Sequence, residues 1–492
     1  MNLTLFVAVA YLFIIILISW WAHKRGIEDW GEGEYDLGNR SIHWFPIMVS
    51  TFASASSAFV FVGLFGLAYG TGLSIMWYAM LATLVGPVLF WVFGKRLRNF
   101  SETLGAYTLV EYLNNRFEDE KGMIGGIGAL ISFIFLFFYV GGQIRAAGLQ
   151  FKTFFEWPIL FGAVLMGIII VGYTFFAGFR GVVWTDTLQG LTMLFSMILL
   201  SIAGLYTIGG FEELFAQLAA QNSSLVSITG GRPIISISFT LFLSGWIASG
   251  LAGMGNPQVS VRPMGMEDDS KMEISGITAA MVYAPTYATA VLGGLIARAL
   301  LPNLGNVDTA FGALVIELFH PVIGGIMLGG LLAAIMSTSD SQLLTASAEF
   351  IRNIYKKVRP NSSEKKRLIY TRLLVAILGV LAIIAGIYWK EAVFWFILFA
   401  WGGLGSAFFP LMAFSLFWEK TSREGALSGI LSGFLTVVIW KSIQEGFILS
   451  QFSSNIANIY EAIPGIIVST IFIIVISLIT EKPKEKVKEL DL

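Results

Sequence analysis

The chain has 492 residues, 56% of them apolar, 13% charged and none cysteine, with a net charge of −1. Soluble domains carry about 25% charged residues, so a water-soluble enzyme is excluded, and so weak a net charge gives no case for a nucleic-acid partner. Without cysteine there is no disulfide, no thiol catalysis and no Cys-based metal site, and His23, His43 and His320 are too scattered to suggest a metal cluster.

The apolar residues come in repeated runs long enough to cross a hydrocarbon layer as helices, which takes about 20 residues. The chain therefore reads as an all-α polytopic membrane protein in the lipid bilayer. Thirteen spans are predicted: 3–22, 44–69, 72–94, 124–150, 157–178, 183–208, 235–257, 274–301, 321–350, 368–388, 391–418, 424–446 and 460–480. The first run has no basic residue before it and is followed by His23-Lys24-Arg25 rather than a small-residue cleavage site, so it is expected to be a retained helix, not a signal peptide. With the N-terminus outside, 24 of the 31 basic residues fall on the inner side. Five (Lys152, Arg232, Arg298, Lys390, Lys441) fall at outer ends, and Arg145 and Arg372 lie within spans. That bias matches the positive-inside rule and predicts a cytoplasmic tail, 481–492. Residues 108–117 and 308–320 are expected to form short amphipathic helices between spans.

Two spans are interrupted by small and polar residues. The second carries Ser50-Thr51-Phe52-Ala53-Ser54-Ala55-Ser56-Ser57-Ala58, and the seventh carries Ala248-Ser249-Gly250-Leu251-Ala252-Gly253-Met254-Gly255-Asn256-Pro257. Either could serve close helix packing. Their matched positions, five spans apart, point instead to broken helices of an inverted-repeat transporter. In the sixth span Asp186 follows Trp184-Thr185. It could cap a helix start or serve an ion or a gate. Arg145, in the fourth, could snorkel, pair with a carboxylate or face a cavity. In the ninth, Ala334, Ser337 and Thr338 share one helix face. Their oxygens, with carbonyls near Ala53 and Ser56, would suit a hard cation such as Na+; alternatively the hydroxyls bond back to their own helix.

These residues resemble the sodium/solute symporter family, closest to its sodium/proline branch. The likeness runs over roughly residues 30–445. It rests on Leu37-Gly38-Asn39-Arg40-Ser41, Ser50 to Ser57, Trp184-Thr185-Asp186-Thr187-Leu188-Gln189, Leu332 to Leu344, Ala400 to Phe408, Phe417-Trp418 and Arg423-Glu424-Gly425-Ala426. The resemblance implies two inverted five-helix repeats, spans 44–208 and 235–418, within a single transmembrane domain, and Na+-coupled uptake of a small organic solute. It assigns Na+ to the carbonyls of Ala53, Ser56 and Ala334 and the hydroxyls of Ser337 and Thr338, and coupling or gating to Asp186 and Arg40. The solute is expected between the broken helices, facing Ser57, Phe59, Tyr139, Gln143, Trp246, Met254 and Asn256. Three departures separate the chain from the proline branch. Ala55 stands where that branch has Asp, and Ala58-Phe59 stands for its Gly-Trp. Gly255-Asn256-Pro257-Gln258 replaces Gly-Gln-Pro-His, with Trp246 about one turn ahead of the branch's tryptophan. Proline is thus the leading solute, with pantothenate, a sugar, sialic acid or proton coupling as alternatives. A membrane sensor would have Asp340 and the basic loop 352–367 for docking. Enzyme motifs are missing.

Overall fold

The structure, a computed structural model, describes residues 3–25, 31–388, 393–449 and 459–480. Among these residues helices dominate, and the one β-type pairing is an isolated bridge between Ile42 and Met266. The membrane helices are α1 (Leu3–Arg25), α3 (Trp44–Ala58), α4 (Phe65–Thr71), α5 (Met76–Thr103), α7 (Met123–Phe155), α8 (Ile159–Ile208), α10 (Ile237–Gly255), α11 (Pro257–Met264), α12 (Met272–Leu300), α14 (Pro321–Phe350), α16 (Glu364–Tyr388), α17 (Val393–Phe417), α18 (Arg423–Gln444) and α19 (Ala462–Ile479). Shorter helices join them: α2 (Glu32–Leu37), α6 (Leu109–Arg116), α9 (Phe211–Gln221), α13 (Ala310–Leu318) and α15 (Lys356–Val358).

Eleven helical stretches among the described residues are long and apolar enough to cross a membrane. Two of them, Trp44–Thr103 and Ile159–Ile208, hold 60 and 50 residues. Straight helices of that length would run roughly 75 to 90 Å, against a hydrocarbon layer of about 30 Å. Both turn at a glycine with positive φ, Gly72 (78°) and Gly178 (61°), where a side chain would be strained. Crowding reinforces the choice, since a Cβ on Gly72 would lie 2.4 Å from the carbonyl oxygen of Leu225. The predicted third span, 72–94, thus continues as α5 to Thr103.

Helices α14 and α17 form the centre, buried over 83% and 78% of their spanning cores, while α1, α16, α18 and α19 are each 28% buried and face outward. Helix α3 packs on α8, α12 and α14, and α10 packs on α5 and α17. The two expected amphipathic pieces are α6 and a 3-10 turn, Val307–Thr309, running into α13. Helix α6 starts at a Thr-x-x-Glu signal. Thr108 Oγ1 accepts from Glu111 N at 3.1 Å, and Glu111 Oε2 accepts from Tyr107 N at 2.9 Å. Residues 481–492, which sequence reasoning read as a tail, lie outside what the structure describes, as does the side chain of His23.

Candidate functional site

Helix α3 ends at Ser57, whose φ of 50° and ψ of −171° break the helix before a π turn, Phe59–Leu64, leads into α4. Serine hydroxyls compete with the helix ladder for backbone groups, and the N–H groups freed by the break find other partners. Gln143 Oε1 accepts from Ala58 N at 2.9 Å, and Ser57 Oγ accepts from Phe59 N at 2.9 Å. The second break falls at Asn256, in extended conformation, with Pro257 opening α11. Proline suits that first position because its missing N–H is not needed there. Asn256 Nδ2 donates to Ala252 O (2.8 Å) and Trp401 O (3.2 Å). Gly255 lets α17 approach closely, since a Cβ there would stand 2.6 Å from Phe409 N.

Where α3 crosses α14, a buried cluster of neutral oxygens forms. Ser337 Oγ lies 3.2 Å from both Ala53 O and Ala334 O, and Thr338 Oγ1 donates to Ser54 O at 3.0 Å. Ser54 Oγ donates to Ser337 O at 3.2 Å. Four of the five residues expected to hold Na+ are therefore brought together. Ser56, the fifth, lies one turn after Ala53, and its carbonyl accepts from Phe59 N at the break. The Ser337 hydroxyl thus reaches its own helix, as in the back-bonding alternative, and also the broken one.

Toward the predicted inner side lies a charged cluster that sequence reasoning did not assemble. Asp186 Oδ2 accepts from Ser50 Oγ at 2.6 Å and from Arg262 NH2 at 3.3 Å. Arg262 is 1% exposed and also donates to Gln258 O (2.6 Å), Ser54 Oγ (2.8 Å), Ser50 Oγ (3.2 Å) and Ser341 Oγ. Asp340 accepts from Tyr173 OH and from the backbone N and hydroxyl of Ser341. Three expectations change here. Asp186 caps no helix start, because α8 resumes at Phe179, about two turns earlier. Arg262, counted as a loop cation, is buried in the bundle, and Asp340, a docking residue in the sensor reading, is 0% exposed. The clue available in sequence was an arginine a turn and a half beyond the Asn-Pro break.

Toward the predicted inner side of this cluster, further contacts join the elements. Arg40 ties the start of α3 to neighbouring elements, donating to Met264 O (2.8 Å), Ser101 Oγ (3.0 Å), Ser101 O (3.1 Å) and Ala106 O. Burial, helped by nearby Arg98, pushes its guanidinium down to about 10, which leaves it charged at neutral pH. Glu267 N donates to Ile42 O at 3.0 Å across the bridge.

Between the broken helices lies a cavity lined by Phe59, Tyr139 and Met254 from the expected set, together with Thr51, Ala55, Tyr78, Ser249, Tyr283, Tyr287 and Trp401, among others. Among the described residues no charged side chain lines it. The other four expected solute residues are not part of its lining. Ser57 Oγ, Gln143 Oε1 and Asn256 Nδ2 serve the helix breaks, while Gln143 Nε2 keeps no protein partner among the described residues, and Trp246 lies edge-on to Tyr78 with ring centres 5.1 Å apart. The tyrosines of α5 and α12 were missed, because aromatic residues in membrane helices are too common to stand out. Arg145 acts electrostatically on Asp308, whose carboxyl is pushed up by burial while Val393 N and Arg145 pull it down. No group of three or more His, Cys, Asp or Glu able to hold a metal occurs among the described residues.

Two broken helices, a cross-helix oxygen cluster and a cavity at their junction define a secondary transporter. The sodium:solute symporter family model matches residues 35–433. The sodium/proline symporters of Staphylococcus aureus strains bovine RF122 / ET3-1 and NCTC 8325 / PS 47 are each 32% identical to the chain over 482 residues, covering 96% of it and 92% of their own length. The chain belongs to the sodium:solute symporter family: it is a Na+-coupled secondary transporter, not an enzyme. Its fold matches a Na+-coupled sialic acid symporter in a substrate-bound, outward-open state (TM-score 0.81, 19% identity, 98% of this chain and 99% of that one). It also matches the nucleobase-cation-symport-1 transporter Mhp1 (TM-score 0.57, 12% identity, 92% and 97%).

Proposed function

We propose that the protein carries proline, or a closely similar small amino acid, into the cell together with Na+, and that Na+ sits among Ala53, Ser56, Ala334, Ser337 and Thr338. The observation that carries the cation assignment is Ser337 Oγ at 3.2 Å from carbonyls on two different helices. That spacing suits the edge of an oxygen shell around a cation at about 2.3 Å. A cation there links α3 to α14 and so favours one arrangement of the two, which coupling requires. Entry of Na+ into a negative cell adds about 2.3 kcal/mol per 100 mV.

The aromatic cavity beside this cluster suits a ring with an ammonium group, since tyrosine and tryptophan faces attract cations. A sugar or sialic acid would need many more hydrogen-bonding partners than its lining offers. Asp186 and Arg40 serve the inner gate. On this reading the long stretches are split at Gly72 and Gly178 into thirteen crossings, with repeats at 44–208 and 235–418, the N-terminus outside and the C-terminus in the cytoplasm. In proteoliposomes, Ser337→Ala with Thr338→Ala abolishes Na+-stimulated uptake; uptake that stays fully Na+-dependent sinks the assignment. Thermal shifts of purified protein with proline, other amino acids, pantothenate, sugars and sialic acid, with and without Na+, identify the solute as the one whose shift needs Na+. A proton-driven reading draws on the buried carboxyl of Asp340 and requires uptake under a pH gradient with Na+ absent.

A further inference from the structure

The neutral oxygens around Ser337 carry no countercharge for a cation, and Ala55, which faces the cavity, supplies none. One turn beyond Ser337 on α14 stands Asp340, 0% exposed. The inner cluster buries three ionisable groups, Asp186, Asp340 and Arg262. Arg262 pairs with Asp186 at 3.3 Å. Among the described residues no basic side chain lies within ion-pair distance of Asp340; its partners are the Tyr173 hydroxyl and the Ser341 N–H and hydroxyl. With both carboxyls ionised the cluster is one positive charge short, since Arg262, paired with Asp186, meets Asp340 only through Ser341 Oγ, and a buried charge without a direct partner is costly.

From Asp340 the hydrogen bonds lead straight to the cation oxygens. Ser341 Oγ lies 3.1 Å from Asp340 Oδ1, 2.7 Å from Ser337 O and 2.8 Å from Ser54 Oγ. Ser54 O in turn accepts from Thr338. We propose that Asp340 is the positioning charge for Na+ in this chain: it offsets the bound cation from one turn below the oxygen cluster, in place of an acid at position 55. The inference rests on the Na+ assignment above. In the alternative role Asp340 merely accepts the Tyr173 hydroxyl and ties α8 to α14.

Full-length purified protein separates the two roles, with stabilisation by NaCl alone, at constant ionic strength in choline chloride, reporting Na+ binding. Asp340→Asn keeps the shape but removes the charge, and raises the half-saturating Na+ concentration about tenfold or more. The solute KM at saturating Na+ stays near that of the natural protein. Tyr173→Phe keeps the charge, removes the tie and leaves half-saturation within about threefold. Adding Ala55→Asp to Asp340→Asn recovers part of the lost Na+ affinity. A half-saturating concentration unmoved by Asp340→Asn, moved equally by Tyr173→Phe or not recovered by Ala55→Asp overturns the proposal. If the natural protein itself shows neither Na+ stabilisation nor Na+-dependent uptake, the cation assignment fails instead, so the two failures are distinguishable.

Discussion

Arg262 shows how one side chain escapes a reading by position alone. Charge counting assigns a basic residue to a loop when it lies beyond an apolar run, and Arg262 lies beyond Pro257. The short helix α11 nonetheless folds back into the bundle, and its fork of donors reaches oxygens on α3, α8, α11 and α14. Removing one partner of such a buried pair leaves the other uncompensated and costs about 3 to 5 kcal/mol, whereas removing both costs far less. Arg262→Ala is therefore expected to lower the thermal midpoint in detergent strongly, and Arg262→Met with Asp186→Leu to recover most of the loss. Arg262→Lys should rescue poorly, because one ammonium cannot span the donor directions of a guanidinium. Equal midpoints for Arg262→Ala and the natural protein would mean that the pair holds nothing together.

At the scale of elements, composition reveals where helices break but not how the freed groups are satisfied. Gly and Pro announced the Asn256 break, and the Ser/Ala run announced the other. The use of Gln143 and Asn256 as caps was invisible, because it depends on which helix lies alongside. The same holds for α2, a six-residue helix that latches the face predicted to be inner. Glu34 pairs with Arg180 just past the Gly178 turn, Asp36 with Arg352 at 2.5 Å, and Glu32 with Arg367 at the start of α16. Burial pushes the Asp36 carboxyl up to about 6, although Arg352 works against the shift. Folded and latched, Asp36 thus holds a proton more tightly than at its ordinary 3.8. Its contribution is fully present below that value and is lost as pH rises through about 6. The thermal midpoint of the natural protein relative to Asp36→Asn should accordingly rise on acidification from pH 7 to pH 5, by the equivalent of roughly 1 kcal/mol. A difference that stays constant or falls across that window removes Asp36 from the latch's pH response.

For the whole molecule, span positions were legible because the bilayer demands about 20 apolar residues per crossing, and family membership because the Ser337 region is so specific. Which face of each helix meets lipid was not legible, since residues such as Leu84, Ile168 and Ile202, each at least 60% exposed, are as apolar as those inside. Orientation rests on charge, and the chain's lack of cysteine makes it directly testable. Ser223, exposed between α9 and α10, is expected outside, and Ser363, exposed just before α16, in the cytoplasm. In intact cells, a membrane-impermeant maleimide should label Ser223→Cys at once and Ser363→Cys only after permeabilisation. Both variants sit on exposed loop positions and should keep Na+-dependent uptake, which verifies that the labelled protein is native. Labelling in the opposite order would invert the topology and turn the face held together by Arg40, Arg262 and α2 toward the outside. The gate that releases the solute would then be the one now assigned to its entry.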